Sequence, residues 1–274
     1  MANRKDDGLL LGRQTPPVQA YSPDILYAIP RSTGRAALGL PGPDRFYGID
    51  LWHAYELSWL DAAGKPVSRV GRFLVPAASP NIVESKSFKL YLNSLNARRF
   101  QSEEEAVRTM VSDLSAVAGV DITLQLFAAD DPALAGSSLE GRCIDELQCA
   151  AAQNGPAPDM LVFAPDTEVE ERLYSHLMRS LCPVTGQPDW ASVWLHYRGP
   201  ALEPESLLRY VLSFREHQEF HEPCVERMFC DILLAGSPRF LQVQAFYTRR
   251  GGLDINPMRC TEPSARALPR LNRQ

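Results

Sequence analysis

Glu84-Ser85-Lys86-Ser87-Phe88-Lys89-Leu90-Tyr91-Leu92-Asn93-Ser94 places Phe88 and Leu92, with Leu95 just beyond, at helical spacing behind Ser85. A second helix follows, because Ser102 and Glu105 form a capping box ahead of Val107, Val111, Leu114 and Val117. Upstream, 51–60 and 67–75 read as two extended runs around Asp61-Ala62-Ala63-Gly64-Lys65, which is the pattern of a β-hairpin. Downstream, 121–127 alternates with period two and closes this half with a strand. The order is strands, helices, strand, which a strictly alternating parallel βαβ series does not fit.

The stretch 128–141, with Asp130-Asp131-Pro132 and Gly136-Ser137-Ser138, has the composition of a connector and marks the boundary between halves. After the short apolar run 160–163, Thr167 and Glu170 make another capping box, and Val169, Leu173, Leu177 and Leu181 predict a helix ending just before Cys182. Residues 192–198 alternate as a strand. Leu207, Leu208, Val211 and Leu212 mark one helix, and Val225, Met228, Phe229 and Ile232 mark another. Leu241, Val243, Ala245 and Tyr247 alternate as a last strand, closed by Arg250-Gly251-Gly252. The second half thus repeats strand, helix, helix, strand without the residue identity of a formal repeat. Residues 1–45, broken by Pro16, Pro17, Pro23, Pro30, Pro41 and Pro43, read as an arm wrapped on the surface. The reading is α+β, with an arm over 1–45, one module over 46–135 and a second over 136–274.

At 274 residues, the chain has room for about two domains of roughly 100–200 residues each. Hydrophobic residues make up 45% and charged residues 22%, far from the composition of a disordered chain. The net charge of −5 and the lack of a basic run give no support to binding a nucleic-acid backbone. Leu9 to Leu11 is too short for a signal peptide or a membrane span, so a cytosolic protein is expected. Six cysteines in a chain of this length are expected as reduced thiols.

Ser180-Leu181-Cys182-Pro183-Val184-Thr185-Gly186-Gln187-Pro188-Asp189-Trp190 holds a thiol and a carboxyl seven positions apart on a constrained turn. A nucleophile and a proton donor need such a platform, although a buried cysteine beside a turn aspartate reads the same way. The helix expected before Cys182 would oppose its ionisation, so activation has to come from a neighbouring base or cation. His221-Glu222-Pro223-Cys224 stands where a helix starts. There a histidine can relay a proton and a carboxylate can accept two hydrogen bonds from an amidine-like N–H pair, or the two are simply a helix end. Lys86 and Lys89, with the free amides of a helix start, suit an anion such as phosphate, or are a solvated face. Arg249-Arg250-Gly251-Gly252 is a phosphate grip or a plain turn. His176 and His196 read as structural. The sequence has no G-x-G-x-x-G, P-loop or C-x-x-C pattern.

Glu84 to Ser94, Cys182 with Gln187-Pro188-Asp189-Trp190, and His221-Glu222 with Cys224-Val225-Glu226-Arg227 together resemble the NADPH-dependent 7-cyano-7-deazaguanine reductases of queuosine biosynthesis, in their long two-module form. The likeness extends from about Gly48 to Pro257. It implies two tandem tunnelling-fold modules, antiparallel sheets backed by paired helices, with sites where modules meet. It implies that Cys182 adds to the substrate nitrile to give a covalent thioimide, that Asp189 donates protons and that His221 assists their movement. By the same likeness Glu222 and Glu84 hold the deazaguanine edge, Ile82 and Val83 line the base pocket, His221 also contacts the substrate, and Ser85, Lys86, Arg250 and Gly251 contact NADPH. It further implies a cytoplasmic homodimer with no bound metal and no direct contact with nucleic acid or membrane. A thiolate is a sensible opening nucleophile for a weakly electrophilic nitrile carbon, and an adjacent acid must protonate the nitrogen.

Other classes use the same parts. Cys182 with Glu84 and Lys86 suits a hydrolase of nitriles or amides that consumes no cofactor. Cys182, His221 and Cys224 suit a zinc-dependent cyclohydrolase-like enzyme. A base-binding module without turnover is the remaining reading.

Overall fold

The computed structural model describes residues 20–36, 38, 46–150 and 155–274. The chain forms a mixed α+β protein of large antiparallel sheets and few helices, and its contacts divide it into two units. The arm expected over 1–45 lies for the most part outside the described residues. What is described of it is not merely surface wrapping, since it supplies a strand and the buried side chain of Arg31.

The first unit takes the described residues of Met1–Ser32 together with Trp52–Ala133 and Arg250–Leu253. It holds β1 (Ala28–Pro30), the opening of α1 (Arg31–Arg35), most of β2 (Tyr47–Leu60), β3 (Pro66–Pro76), β4 (Asn81–Val83), α2 (Ser85–Ser94), α3 (Glu103–Ala118) and β5 (Thr123–Phe127). The hairpin turn closes as its residues require: Asp61 Oδ1 accepts from the amides of Ala63 and Lys65, both at 2.9 Å, and Gly64 takes φ +88°. A side chain is strained in that left-handed conformation. β3 pairs with β5 from Val70↔Phe127 to Leu74↔Thr123, while β1 pairs with β4 through Ile29↔Ile82. Phe88 explains the helical spacing, because it meets the rings of Trp52 and Phe73 edge-on at 5.4 and 5.1 Å and seats α2 on the sheet.

The second unit takes the described residues of Thr33–Leu51 with Leu134–Arg249 and Asp254–Gln274. Its elements are β6 (Arg142–Cys143), β7 (Phe163–Leu181), β8 (Pro188–Leu202), α4 (Pro204–Leu212), α5 (His221–Gly236), β9 (Phe240–Tyr247) and β10 (Leu253–Cys260, from Asp254 on). The strands lie in the order β10-β9-β8-β7-β6, antiparallel except for the short β6, which runs parallel to β7.

The helix expected over 167–181 is absent, and that segment is the strand β7. A bulge between Ser175 and Met178 shifts the phase of the strand, so Leu173 and Ser175 are buried before it and Met178 and Ser180 after it. Leucines four apart suit a helical period and equally one face of a strand of period two, but the shift turns Leu177 outward, 37% exposed, which a core-facing helix position would not be. β10 is a further strand, one that the apolar pattern does not reveal. It carries Asp254, Asn256, Pro257 and Arg259, and its pairing with β9 runs over Met258–Cys260, just past the proline that cannot donate to a ladder.

The two helix pairs share a hydrogen-bond scheme that sequence inspection alone passes over. Glu84, Ser87, Tyr91 and Ser94 recur as Glu203, Ser206, Tyr210 and Ser213, an E-x-x-S-x-x-x-Y-x-x-S pattern. Ser87 and Ser206 hydroxyls donate to the carbonyls of Glu84 and Glu203 at 2.7 Å, and each accepts an amide at 3.0 Å, from Tyr27 and Val162. Tyr91 donates to Asp113 and Tyr210 to Asp231, both at 2.6 Å, which ties the first helix of each pair to the second.

Candidate active site

Cys182 opens the loop between β7 and β8. The loop is pinned by Cys182 N donating to Gln187 O at 2.9 Å and Gly186 N donating to Cys182 O at 3.0 Å, with Gly186 at φ +67°. Asp189 stands across the hairpin as the partner of Ser180, and both Cys182 and Asp189 are buried. The helix dipole expected to oppose ionisation at Cys182 is not there, because a strand precedes it.

The end of β7 also gathers the segment leading into α5. Leu181 N donates to His217 O at 2.9 Å, and Glu219 N donates to Leu181 O at 3.1 Å. This short parallel bridge delivers the first turn of α5 to the hairpin end. His221, its first residue, puts Nε2 3.4 Å from Asp189 Oδ2, and its ring stacks on Tyr247 at 3.8 Å with 20° between planes. Glu222 is buried beside it in sequence. Pro223 is the third helical residue rather than the first, still within the turn whose amides have no intrahelical partner.

The sequence also groups Cys224 here. Burial, and then the charge of Glu219, push the Cys224 thiol far above its ordinary range, so it is a neutral core side chain. Burial likewise pushes the Tyr247 phenol well up, with Cys224 and Ser180 facing its hydroxyl. The zinc set Cys182, His221 and Cys224 is not brought together. Among the described residues, the atoms close enough to share one ion belong to His217, Glu219 and Cys224, within 4.8 Å. Arg227 Nε already sits 3.6 Å from the Glu219 carboxylate, and His217 Nε2 lies 2.9 Å from the same oxygen.

A second group of expected site residues lies in the first unit. Ile82 and Val83 are buried on β4 and lead directly into Glu84, the N-cap of α2. Its two carboxylate oxygens accept from the amides of Lys86 and Ser87, each at 2.7 Å. Those amides are therefore not free to bind an anion, contrary to the sequence expectation; the cationic side chains are what this helix start offers. Ser85 and Lys86 are half-buried in its first turn. Arg250 and Gly251 form the turn between β9 and β10, with Arg250 N donating to Leu253 O at 2.9 Å. Gly251 has φ +56°, and a Cβ there would lie 3.2 Å from Lys89 Nζ. The turn thus lies against α2, and Arg250 and Gly251 share a neighbourhood with its lysine face.

Residues 18–126 match the family described as nitrile reductase, 7-cyano-7-deazaguanine-reductase N-term, and residues 188–266 match the family described as QueF-like protein. A protein of Chromohalobacter salexigens named NADPH-dependent 7-cyano-7-deazaguanine reductase is 48% identical over 266 residues, 96% of each chain. Proteins of the same name from Xanthomonas campestris pv. campestris and Dechloromonas aromatica are 52% and 51% identical, over 91% and 92% of this chain and 91% and 89% of theirs. The chain belongs to the 7-cyano-7-deazaguanine reductase family.

In this member of the reductase family, the matched stretches contain Glu84, Ser85 and Lys86 in the first and Asp189, His221, Glu222, Arg250 and Gly251 in the second, with Cys182 between them. Tyr247 and Ser180 belong to the same cluster but carry no sequence signal beyond strand alternation, which marks Tyr247 only as a core position. His176 and His196, expected as structural, each have a polar partner on a neighbouring strand. The first, on β7 rather than a helix, meets Ser192 Oγ at 2.7 Å, and the second meets Glu170 Oε1 at 2.8 Å.

Proposed function

We propose that this chain reduces the nitrile of 7-cyano-7-deazaguanine to the aminomethyl group in queuosine tRNA modification, with NADPH as reductant and Cys182 as covalent nucleophile. The observation that carries the reading is the hairpin end that sets Cys182 and Asp189 seven positions apart, with His221 Nε2 3.4 Å from the Asp189 carboxylate. A thiol, an acid and a proton relay are the three groups that addition to a nitrile requires. Cys182 gives up its thiol proton as Sγ bonds to the nitrile carbon, one C–N π bond breaks, and the nitrogen takes a proton from Asp189, giving a thioimide; the thiol proton balances the one that Asp189 donates. His221 resupplies that proton. Glu222 accepts from the N–H pair of the heterocycle's amidine edge, and Glu84, Ile82 and Val83 are proposed as further substrate-binding residues.

Lys86, with Ser85, Arg250 and Gly251, would hold the phosphates of NADPH. The donor set fits: cations for phosphate oxygens, and a glycine turn where a Cβ would crowd Lys89. When bound, NADPH supplies hydride, two equivalents for the four electrons that separate nitrile from amine. The working enzyme is a cytoplasmic homodimer acting on a free small molecule, with no direct contact with nucleic acid or membrane. Among the described residues, no helix is long and apolar enough to cross a membrane.

The test is mass spectrometry of the chain incubated with the nitrile in the absence of NADPH. A mass increase equal to the intact substrate, mapped to Cys182 and lost in Cys182→Ala, is expected. An unmodified wild-type chain at saturating nitrile overturns the mechanism. Release of ammonia without NADPH oxidation assigns the hydrolase chemistry instead.

A further inference from the structure

Among the described residues, His221 is the one histidine stacked face to face on an aromatic ring. The rings that meet His53, His176, His196 and His217 are edge-on or tilted, at 4.9 to 6.0 Å, against 3.8 Å and 20° for His221 on Tyr247. The polar contact of His221 is loose by comparison, since 3.4 Å from Nε2 to Asp189 Oδ2 exceeds ordinary hydrogen-bond length. That contact cannot hold the imidazole in one orientation, whereas a stacked ring on a buried platform restricts it to a plane.

The platform is itself tied to the strand that carries the acid. Tyr247 ends β9 opposite Ala191 of β8, and Thr248 N donates to Trp190 O at 2.9 Å, next to Asp189. From the other side Gln274 Nε2 donates to Tyr247 O at 3.0 Å. The Tyr247 ring and the Asp189 carboxyl are therefore fixed by one ladder, and the ring sets where Nε2 points.

We propose that Tyr247 is the positioning residue of the site: its ring, not its hydroxyl, aligns His221 for proton exchange with Asp189. This rests on the reading of His221 as the proton relay. The ring carries the role because the hydroxyl is buried without a regular hydrogen bond, although Ser180 and Cys224 face it. Removing such a hydroxyl has little effect on the imidazole, while removing the aromatic face frees it. A relay displaced by about 1 Å loses up to roughly 100-fold in rate.

Two measurements test this. In the NMR spectrum of the full-length wild type, the His221 ring protons, assigned by their disappearance in His221→Asn, are expected upfield of those of the other four histidines through the ring current of Tyr247. Tyr247→Phe keeps that shift and Tyr247→Leu abolishes it. In nitrile reduction, Tyr247→Leu is expected to lower kcat by roughly 10- to 100-fold with KM little changed, and Tyr247→Phe to lose far less. Adding His221→Asn to Tyr247→Leu is expected to lower kcat by no more than about threefold, because the two act as a unit.

An unshifted wild-type resonance, a Phe variant as impaired as Leu, or fully multiplicative losses each overturn the proposal. Should the Leu variant fail to fold, the wild-type resonance and the Phe variant still decide it. Failure of Cys182 to form its adduct overturns the proposed reaction but leaves the resonance test of the stack intact.

Discussion

Arg259 is the largest fully buried side chain of the described residues, and its replacement by methionine tests how the second unit tolerates a charge in its core. Its NH1 donates to Asp50 Oδ1 at 2.7 Å, and its NH2 and Nε donate to Glu226 Oε1 at 2.8 and 3.1 Å. Arg35 donates to the same Glu226 carboxylate at 3.0 and 2.8 Å. Burial lowers the affinity of Arg259 for its proton, but Asp50 and Glu226 more than reverse this, and its pKa is raised. A cation whose folded pKa is raised contributes stability below its unfolded value, which here covers the whole accessible range.

Met fills most of the volume and leaves Glu226 with Arg35, but Asp50 loses this guanidinium while staying about 1% exposed. Breaking a buried pair in this way costs about 3–5 kcal/mol. Arg259→Met with Asp50→Asn removes both charges and is expected to recover more than half of that loss, because the penalty belongs to the buried charge of Asp50 rather than to the missing contact. Urea unfolding followed by tryptophan fluorescence reads both values. A single-variant deficit under about 1 kcal/mol, or a double variant less stable than the single, refutes the reasoning.

Glu84→Ala strands the amides of Lys86 and Ser87 at the start of α2 and is expected to cost about 1–2 kcal/mol, with Glu84→Gln losing less; equal urea midpoints for wild type and Ala would show that the cap is idle. Burial raises the carboxyl of Asp231 above its ordinary value, against the lowering effects of its Tyr210 hydrogen bond and of Arg227. Its folded pKa then exceeds its unfolded one, so the penalty is present at neutral pH and relieved as pH falls through the carboxylate range. Asp231→Asn is expected to be the more stable at pH 7, by a margin that shrinks toward pH 4.5; Tm curves that stay parallel exclude this. Asp189→Asn removes the acid beside His221 and is expected to slow Cys182 adduct formation by about 100-fold or more in stopped-flow absorbance, and an unchanged rate removes Asp189 from proton donation.

The helices of the first unit were legible because α2 and α3 each carry a local signal, a periodic face opening on Phe88 and a Ser102–Glu105 cap, that tertiary packing reinforces. β7 was not, because leucines four apart fit a helix face and a strand face alike, and the bulge that turns Leu177 outward is set by the partner strand rather than by local sequence. β10 was hidden for another reason: its buried residues include Asp254, Asn256 and Arg259, and Arg259 is held by partners as distant as Asp50 and Glu226. The site divides along the same line. Cys182 and Asp189 are local to one turn, and their chemistry could be argued from spacing. That His221 meets Asp189 depends on the bridge between Leu181 and the 217–219 segment, some forty positions apart in the chain, and no periodicity encodes it. Tyr247 is the extreme case, because a stacking platform has the composition of an ordinary core residue. Its role exists only once β9 is paired with β8, so resemblance to relatives can nominate the reacting groups while the group that aims them becomes visible only in three dimensions.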